Sequence, residues 1–140
     1  MRVERVEPRF VEFIPDVLED GVLYVSMSYG TVIHRCCCGC GEKVSTPLHP
    51  AQWRLTYDGE AVSLSPSIGS GSLPCRSHYF ITRNDVRWAA PMSKTQTAAG
   101  VRRDRAALSE HYEPTSSSLQ RHPSWPGRLK DWVLRRGRRV

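Results

Sequence analysis

The sequence predicts a mainly β protein, a small antiparallel β-hairpin domain stapled at one point by clustered side chains and followed by a mostly helical or disordered basic C-terminal extension. Short runs rich in β-branched and aromatic residues alternate with turn signals as far as Trp88, which is the pattern of consecutive hairpins. All five cysteines stand in two places, Cys36-Cys37-Cys38-Gly39-Cys40 and Cys75. The composition then breaks at Pro91. Residues 1–90 carry 9 Lys+Arg against 10 Asp+Glu, a net charge of −1, whereas residues 91–140 carry 11 against 4, a net charge of +7. A chain of 140 residues suffices for one core of ordinary size and not for two. The expected organisation is a β domain over residues 1–90 that carries the site, with a basic linker and short helices over 91–140.

Taken in order, Arg9-Phe10-Val11-Glu12-Phe13-Ile14 alternates roughly and stops at Pro15, as a strand with one buried face would. Leu18-Glu19-Asp20-Gly21 reads as a turn into the strand Val22–Met27, and Tyr29-Gly30 leads back along Thr31–Cys36, completing a hairpin. If that strand stays extended, His34, Cys36 and Cys38 share one face and Cys37 lies on the other. Gly39 and Gly41 allow a tight fold around Cys40.

A second hairpin joins Gln52–Tyr57 to Ala61–Ser65 through Asp58-Gly59, with Trp53, Leu55 and Tyr57 on one face. The Pro/Ser/Gly stretch from Ser65 to Pro74 reads as a surface loop. A third hairpin follows, His78–Arg83 and Val86–Trp88 about a turn at Asn84-Asp85.

Beyond Trp88, Pro91, Ser93, Thr95, Thr97 and Gly100 suggest a linker, and Arg102–Tyr112 suits a short helix. Glu113 to Pro126, with three prolines and Ser116-Ser117-Ser118, is expected to be mobile. Leu129, Trp132 and Val133 then recur at i, i+3, i+4 among arginines, describing an amphipathic helix over Gly127–Arg136. Its basic residues suit docking on the β domain, a solvated tail, or non-specific contact with nucleic acid, for which no readout motif is present.

The N-terminal Met1-Arg2-Val3-Glu4-Arg5-Val6-Glu7 has no apolar run of the signal-peptide kind, and no stretch approaches the roughly 18 apolar residues of a membrane helix. A soluble cytoplasmic protein without membrane association is expected. In a reducing compartment, clustered cysteines act as metal ligands or reactive thiols more often than as disulfides, and five is an odd number. A structural zinc site needs four ligands, and His34, Cys36, Cys38, Cys40, Cys75 and His78 offer six. Cys36, Cys38, Cys40 and Cys75 would make an all-thiolate site. His78 in place of Cys36 or Cys40 would make a Cys3His site through the Cys75-x-x-His78 spacing. Cys37 is the bystander.

Imidazoles and hydroxyls remain beside those thiols. A serine needs a base within hydrogen-bond reach and backbone amides facing the developing oxyanion. Ser67 precedes Gly69, whose lack of a side chain suits such an amide geometry, and the clamp at Cys75 brings His78 near. Ser65 and Ser77 are further hydroxyls, and His34 a further imidazole.

Several of these runs together resemble a known family: His34-x-Cys36-x-Cys38-Gly39-Cys40-Gly41, Thr46-Pro47-Leu48, Trp53 through Glu60, Val62 through Gly69, and Pro74-Cys75-Arg76-Ser77-His78-Tyr79. The resemblance is to a bacterial family of domains of unknown function encoded beside ubiquitin-like proteins and their E1- and E2-like enzymes, and it covers about residues 9–90. It implies a zinc-containing, serine-type deconjugating peptidase that processes or removes a ubiquitin-like modifier. Carried over by position, Cys36, Cys38, Cys40 and Cys75 fall on the metal-associated cysteines, and Ser67 and His78 on positions compatible with nucleophile and base. His34 also matches, as a base or ligand. Asp58 and Glu60 sit in a hairpin turn, so no acidic residue presents itself as a third member and a Ser-His dyad is expected. The partners implied are the ubiquitin-like protein, its conjugates and the E1-like and E2-like enzymes. A different class of function also fits, a non-catalytic zinc-binding adaptor or ligase-like module of the same pathway.

Overall fold

The structure, a computed structural model, describes residues 1–112. Mobility expected of Glu113–Pro126 and the amphipathic helix expected over Gly127–Arg136 concern residues outside that range. Eight strands form two four-stranded sheets, followed by one helix. The first sheet holds β1 (Glu7–Phe10), β2 (Val22–Ser26), β3 (Thr31–Arg35) and β4 (Lys43–Pro47) in that order, and the second β5 (Arg54–Tyr57), β6 (Val62–Gly69), β7 (His78–Thr82) and β8 (Asp85–Trp88). Every neighbouring pair is antiparallel except β1 with β2, which run parallel. The mainly β class is as the sequence predicts.

One core unites the sheets. Leu23, Val25, Val32 and Val44 from the first meet Val62, Leu64, Ile68, Tyr79, Ile81 and Val86 from the second. Alternation explains these choices: in β7 the inward residues Tyr79 and Ile81 are buried, while His78, Phe80 and Thr82 face the other way. Strand β2 is buried at all five positions, because its outer face is covered too. There Tyr24 donates to Glu19 and lies under the Arg9 guanidinium, and the Ser26 hydroxyl donates to the Glu12 carbonyl.

At the centre, His34 from β3 and Tyr79 from β7 meet across the two sheets, His34 Nε2 lying 2.8 Å from the Tyr79 hydroxyl. His34 is 1% exposed, and burial pushes its pKa down to about 4, so the ring is neutral at pH 7. The N-terminal segment sews a second seam. Val6 donates to the Asn84 carbonyl and accommodates Val86 donating to Glu4, before Glu7–Phe10 pairs with β2.

Strand positions differ from expectation where local chemistry overrides pattern. The first strand is Glu7–Phe10 rather than Arg9–Ile14, held by its parallel register on β2. Strand β4 has only Val44 and Thr46 facing inward, too sparse an apolar signal to announce a strand. The turn between β7 and β8 is centred on Arg83-Asn84, both with positive φ (48° and 71°), one residue earlier than expected and of the geometry that matches strand twist. The segment from Ser65 does not leave the sheet as a loop. Strand β6 continues to Gly69 through a register shift between Leu64, opposite Ile81, and Ile68, opposite Tyr79. Pro66 lies inside that irregularity, where a strand tolerates a residue without an N–H.

The helix α1 (Lys94–Tyr112) begins well before Arg102, and the expected linker supplies its first turns. A reciprocal cap starts it: the Gln96 amide donates to the Ser93 hydroxyl at 3.1 Å, and the Ser93 amide donates to Gln96 Oε1 at 2.8 Å. No helix among the described residues is long and apolar enough to cross a membrane.

Replacing Tyr79 by Phe keeps the ring but strips His34 Nε2 of its partner inside the core. Urea unfolding of the full chain should show a loss of roughly 1–3 kcal/mol, the cost of a buried polar atom left unpaired; an unchanged unfolding free energy would mean that this bond does not tie the sheets.

Candidate functional site

Two groups of reactive side chains sit at the β6–β7 end of the second sheet. The first is sulfur. After β3 the chain turns back at once, with the Gly39 amide donating to the Cys36 carbonyl at 3.0 Å and the Cys36 amide to the Glu42 carbonyl at 2.8 Å. Gly39 and Gly41 take φ of 86° and 83°, a conformation that side chains disfavour, so Cys36, Cys38 and Cys40 curl around one point. Strand β3 has already ended at Arg35, so His34 and the cysteines do not share an extended face.

Cys75 arrives from the β6–β7 loop, and the four sulfur atoms of Cys36, Cys38, Cys40 and Cys75 all lie within 4.8 Å of one another. Cys36 Sγ is 3.5 Å from Cys38 Sγ and 3.9 Å from Cys75 Sγ. A tetrahedral ion with metal–sulfur bonds of about 2.3 Å places its sulfurs about 3.8 Å apart, so these four side chains can hold one metal ion. All five cysteines are free thiols. Cys37 stays outside the group: it is 1% exposed in the core, where burial pushes its thiol up to about 12.

The second group is the pair Ser67 and His78. His78 opens β7 opposite Gly69 of β6, and Ser67 stands two residues before Gly69, within the register shift between Leu64 and Ile68. Their side chains meet, His78 Nε2 lying 2.9 Å from Ser67 Oγ. On the other side of the ring, His78 Nδ1 lies 3.0 Å from the Ala90 carbonyl oxygen. A carbonyl can only accept, so Nδ1 carries a proton, and the tautomer that this selects is the one whose Nε2 lone pair faces the Ser67 hydroxyl. Phe80 lies alongside, its ring 5.8 Å from that of His78. The pair lines an open groove of about 570 Å³, together with Phe80, Met92, Gln96 and Arg103.

The remaining candidates take other places. His34 is paired with Tyr79 in the core and belongs to neither group. Ser65 is exposed, while Ser70 and Ser77 are buried, with the Ser70 hydroxyl 4.0 Å from Cys36 Sγ. Asp58 is engaged in its turn, accepting from the amides of Glu60 and Ala61 at 3.1 and 2.8 Å and pairing with Arg83. At Gly69 a Cβ would run into the Met92 sulfur, so the bare backbone there makes room for Met92 to pack. Residues that sequence reasoning missed are Ala90, Met92, Gln96 and Arg103. Ser93-x-x-Gln96 was the available signal for a helix at that point, whereas a backbone carbonyl such as that of Ala90 has no sequence signature.

A β sandwich with four thiols able to hold a metal ion and a hydrogen-bonded serine–histidine pair has the parts of a serine hydrolase. The family described as bacterial ubiquitination-like system serine protease (BubE) matches residues 10–89, more than half of the chain, and the chain belongs to that family. It is a family of serine proteases within a bacterial ubiquitination-like system. Neither the curated proteins nor the solved structures contain a match.

Proposed function

We propose that this protein is a serine-type peptidase that processes or removes a bacterial ubiquitin-like modifier, with Ser67 as nucleophile and His78 as general base. The observation that carries the reading is the 2.9 Å contact between Ser67 Oγ and His78 Nε2, with the imidazole oriented from behind by the Ala90 carbonyl. His78 takes the hydroxyl proton as Ser67 Oγ attacks the carbonyl at the modifier's C-terminus. The resulting imidazolium returns that proton to the leaving amine, and water, activated by the same ring, then releases the acyl group from the serine. No carboxylate is needed to set the tautomer, since the Ala90 carbonyl does so. The substrates are the ubiquitin-like protein and its conjugates, and E1-like and E2-like enzymes of the same system are its functional neighbours.

A fluorophosphonate probe applied to the full chain should label Ser67, and labelling should vanish in Ser67→Ala. Ser67→Ala and His78→Ala should each abolish cleavage of a ubiquitin-like fusion, with the double variant scarcely worse than either single one, because residues acting as a unit are non-additive. Absence of labelling together with full cleavage by Ser67→Ala would end the peptidase reading and favour an adaptor that recruits its partners without chemistry.

Cys36, Cys38, Cys40 and Cys75 form, in this reading, a structural zinc site closing the end of the sandwich beside His78. Four thiols and no open ligand position suit zinc in a structural rather than a catalytic role. The purified protein should hold about one zinc per chain and lose its fold on chelation, because binding at such a site is folding free energy. Elemental analysis should find zinc retained in Cys37→Ser and lost in Cys38→Ser and Cys75→Ser; retention in both of the latter would exclude this ligand set.

Residues 1–90 are proposed as the folding unit, since every strand among the described residues and all four thiols fall within them. A fragment ending at residue 90 should keep its zinc and its β-sheet circular dichroism but cleave poorly, having lost Met92 and the helical wall of the groove. An unfolded fragment would move the boundary to the end of α1.

A further inference from the structure

Arg76 occupies an unusual place. It stands between Cys75 of the thiol cluster and His78 of the serine–histidine pair, separated from the latter by Ser77 alone. Its backbone is left-handed, with φ of 48°, a conformation that an arginine adopts only where the surroundings impose it. The turn is closed by the Arg76 amide donating to the Leu73 carbonyl at 3.0 Å. From that turn the side chain reaches across to the segment following β8, where Nη2 donates to the Met92 carbonyl at 2.6 Å. Met92 is the residue that fills the space beside Gly69, and it lies two residues beyond Ala90, whose carbonyl holds His78 Nδ1.

We propose that Arg76 is a positioning residue: by holding the Met92 carbonyl it fixes the Ala90–Met92 segment and so keeps the Ala90 carbonyl aimed at His78. The proposal rests on the peptidase reading above and deepens it by naming the group that maintains the base in its productive tautomer. A backbone carbonyl is free to turn away if its segment shifts, unlike a carboxylate on a rotating side chain that can follow the ring. Main-chain bonds hold the two ends of this segment, the Ala89 amide donating to the His78 carbonyl at 2.9 Å and the Ser93 amide to Gln96 Oε1 at 2.8 Å, and two side-chain anchors restrain it between them. One is Met92 packed against Gly69, and the other is the guanidinium, whose charged donor makes the stronger kind of hydrogen bond. The anchor starts from the turn that contains Cys75, so the four-thiol cluster and the imidazole are linked by one short stretch of chain and one side chain. Loosening it leaves the ring free to flip or to exchange the proton between its nitrogens, and a ring with Nε2 protonated cannot accept from Ser67.

The test is the variant Arg76→Gly in the full chain. Glycine suits the left-handed backbone, so the turn and the bound metal are retained while the guanidinium is removed. Nitrogen-15 NMR of the histidine rings reads the tautomer without any substrate: wild type should show His78 as the Nδ1–H form, and Arg76→Gly a mixture of the two. In cleavage of a ubiquitin-like fusion, kcat should fall by roughly 10- to 100-fold with KM within about twofold, the signature of lost geometry rather than lost substrate binding. Arg76→Lys, which restores a donor at similar reach, should recover part of both. An unchanged His78 tautomer in Arg76→Gly overturns the proposal, and so does loss of metal from that variant, which would make Arg76 a structural part of the thiol turn. Failure of the peptidase reading is distinguishable, because it would appear as an unlabelled Ser67 in wild type while the NMR comparison still reports whether Arg76 governs His78.

Discussion

Four sulfur atoms from the two sheets lie within 4.8 Å of one another, and the placement of His78 is tied to that convergence through Cys75, three residues before it. Three of the sulfurs come from the turn between β3 and β4 in one sheet, and the fourth comes from the loop between β6 and β7 in the other. Hydrophobic contact between sheets is non-directional and tolerates sliding, whereas four thiols able to hold one metal ion would, with an ion bound, have one arrangement. Fixing Cys75 fixes the three residues after it, and the third of them is His78.

From His78 onward the strand alternates, and that alternation divides the labour between adjacent residues. His78 faces outward to Ser67, while Tyr79 faces inward to His34 on the opposite sheet. A slip of one residue would exchange the two, burying the imidazole that must meet solvent and exposing the tyrosine that ties the sheets. The register shift in β6 contributes the complementary half. By lodging additional residues between Leu64 and Ile68, it brings Ser67 beside the histidine without disturbing the core positions on either side. The Ser67 hydroxyl therefore rides on a bulge inside strand β6, flanked by paired residues on both sides, rather than on the free loop that its Ser/Pro/Gly composition suggests.

Much of this was legible in the residues. Asp58-Gly59 announced the β5–β6 hairpin, and Val22-Leu23-Tyr24-Val25 announced β2, because turn chemistry and β-branched alternation are local properties. The four-cysteine grouping was visible for the same reason, since three of its members lie within five residues. What the sequence could not show depends on contacts between distant segments. Pro66 in a serine-rich run looks like a loop until β5 and β7 pair with its neighbours. His34, two residues from Cys36, looks like a ligand until the chain turns and sends it into the core. Glu7–Phe10 becomes a strand through its parallel partner β2 and not through its own pattern. The cap at Ser93 and Gln96 was readable, but Ser93, Thr95, Thr97 and Gly100 masked it by resembling a linker.

The hydrogen bond behind His78 comes from main chain, and this has a consequence for how such a protein can be dissected. A carboxylate in that position would be found by substitution and would titrate on acidification. The Ala90 carbonyl does neither: it has no proton to gain in the accessible range, and it persists whatever side chain residue 90 bears. An alanine scan passes over it altogether, because the residue is already alanine. The orienting contact is thus hidden from the two methods most often used to find one, and it is exposed to evolution only through the neighbours that hold its segment in place.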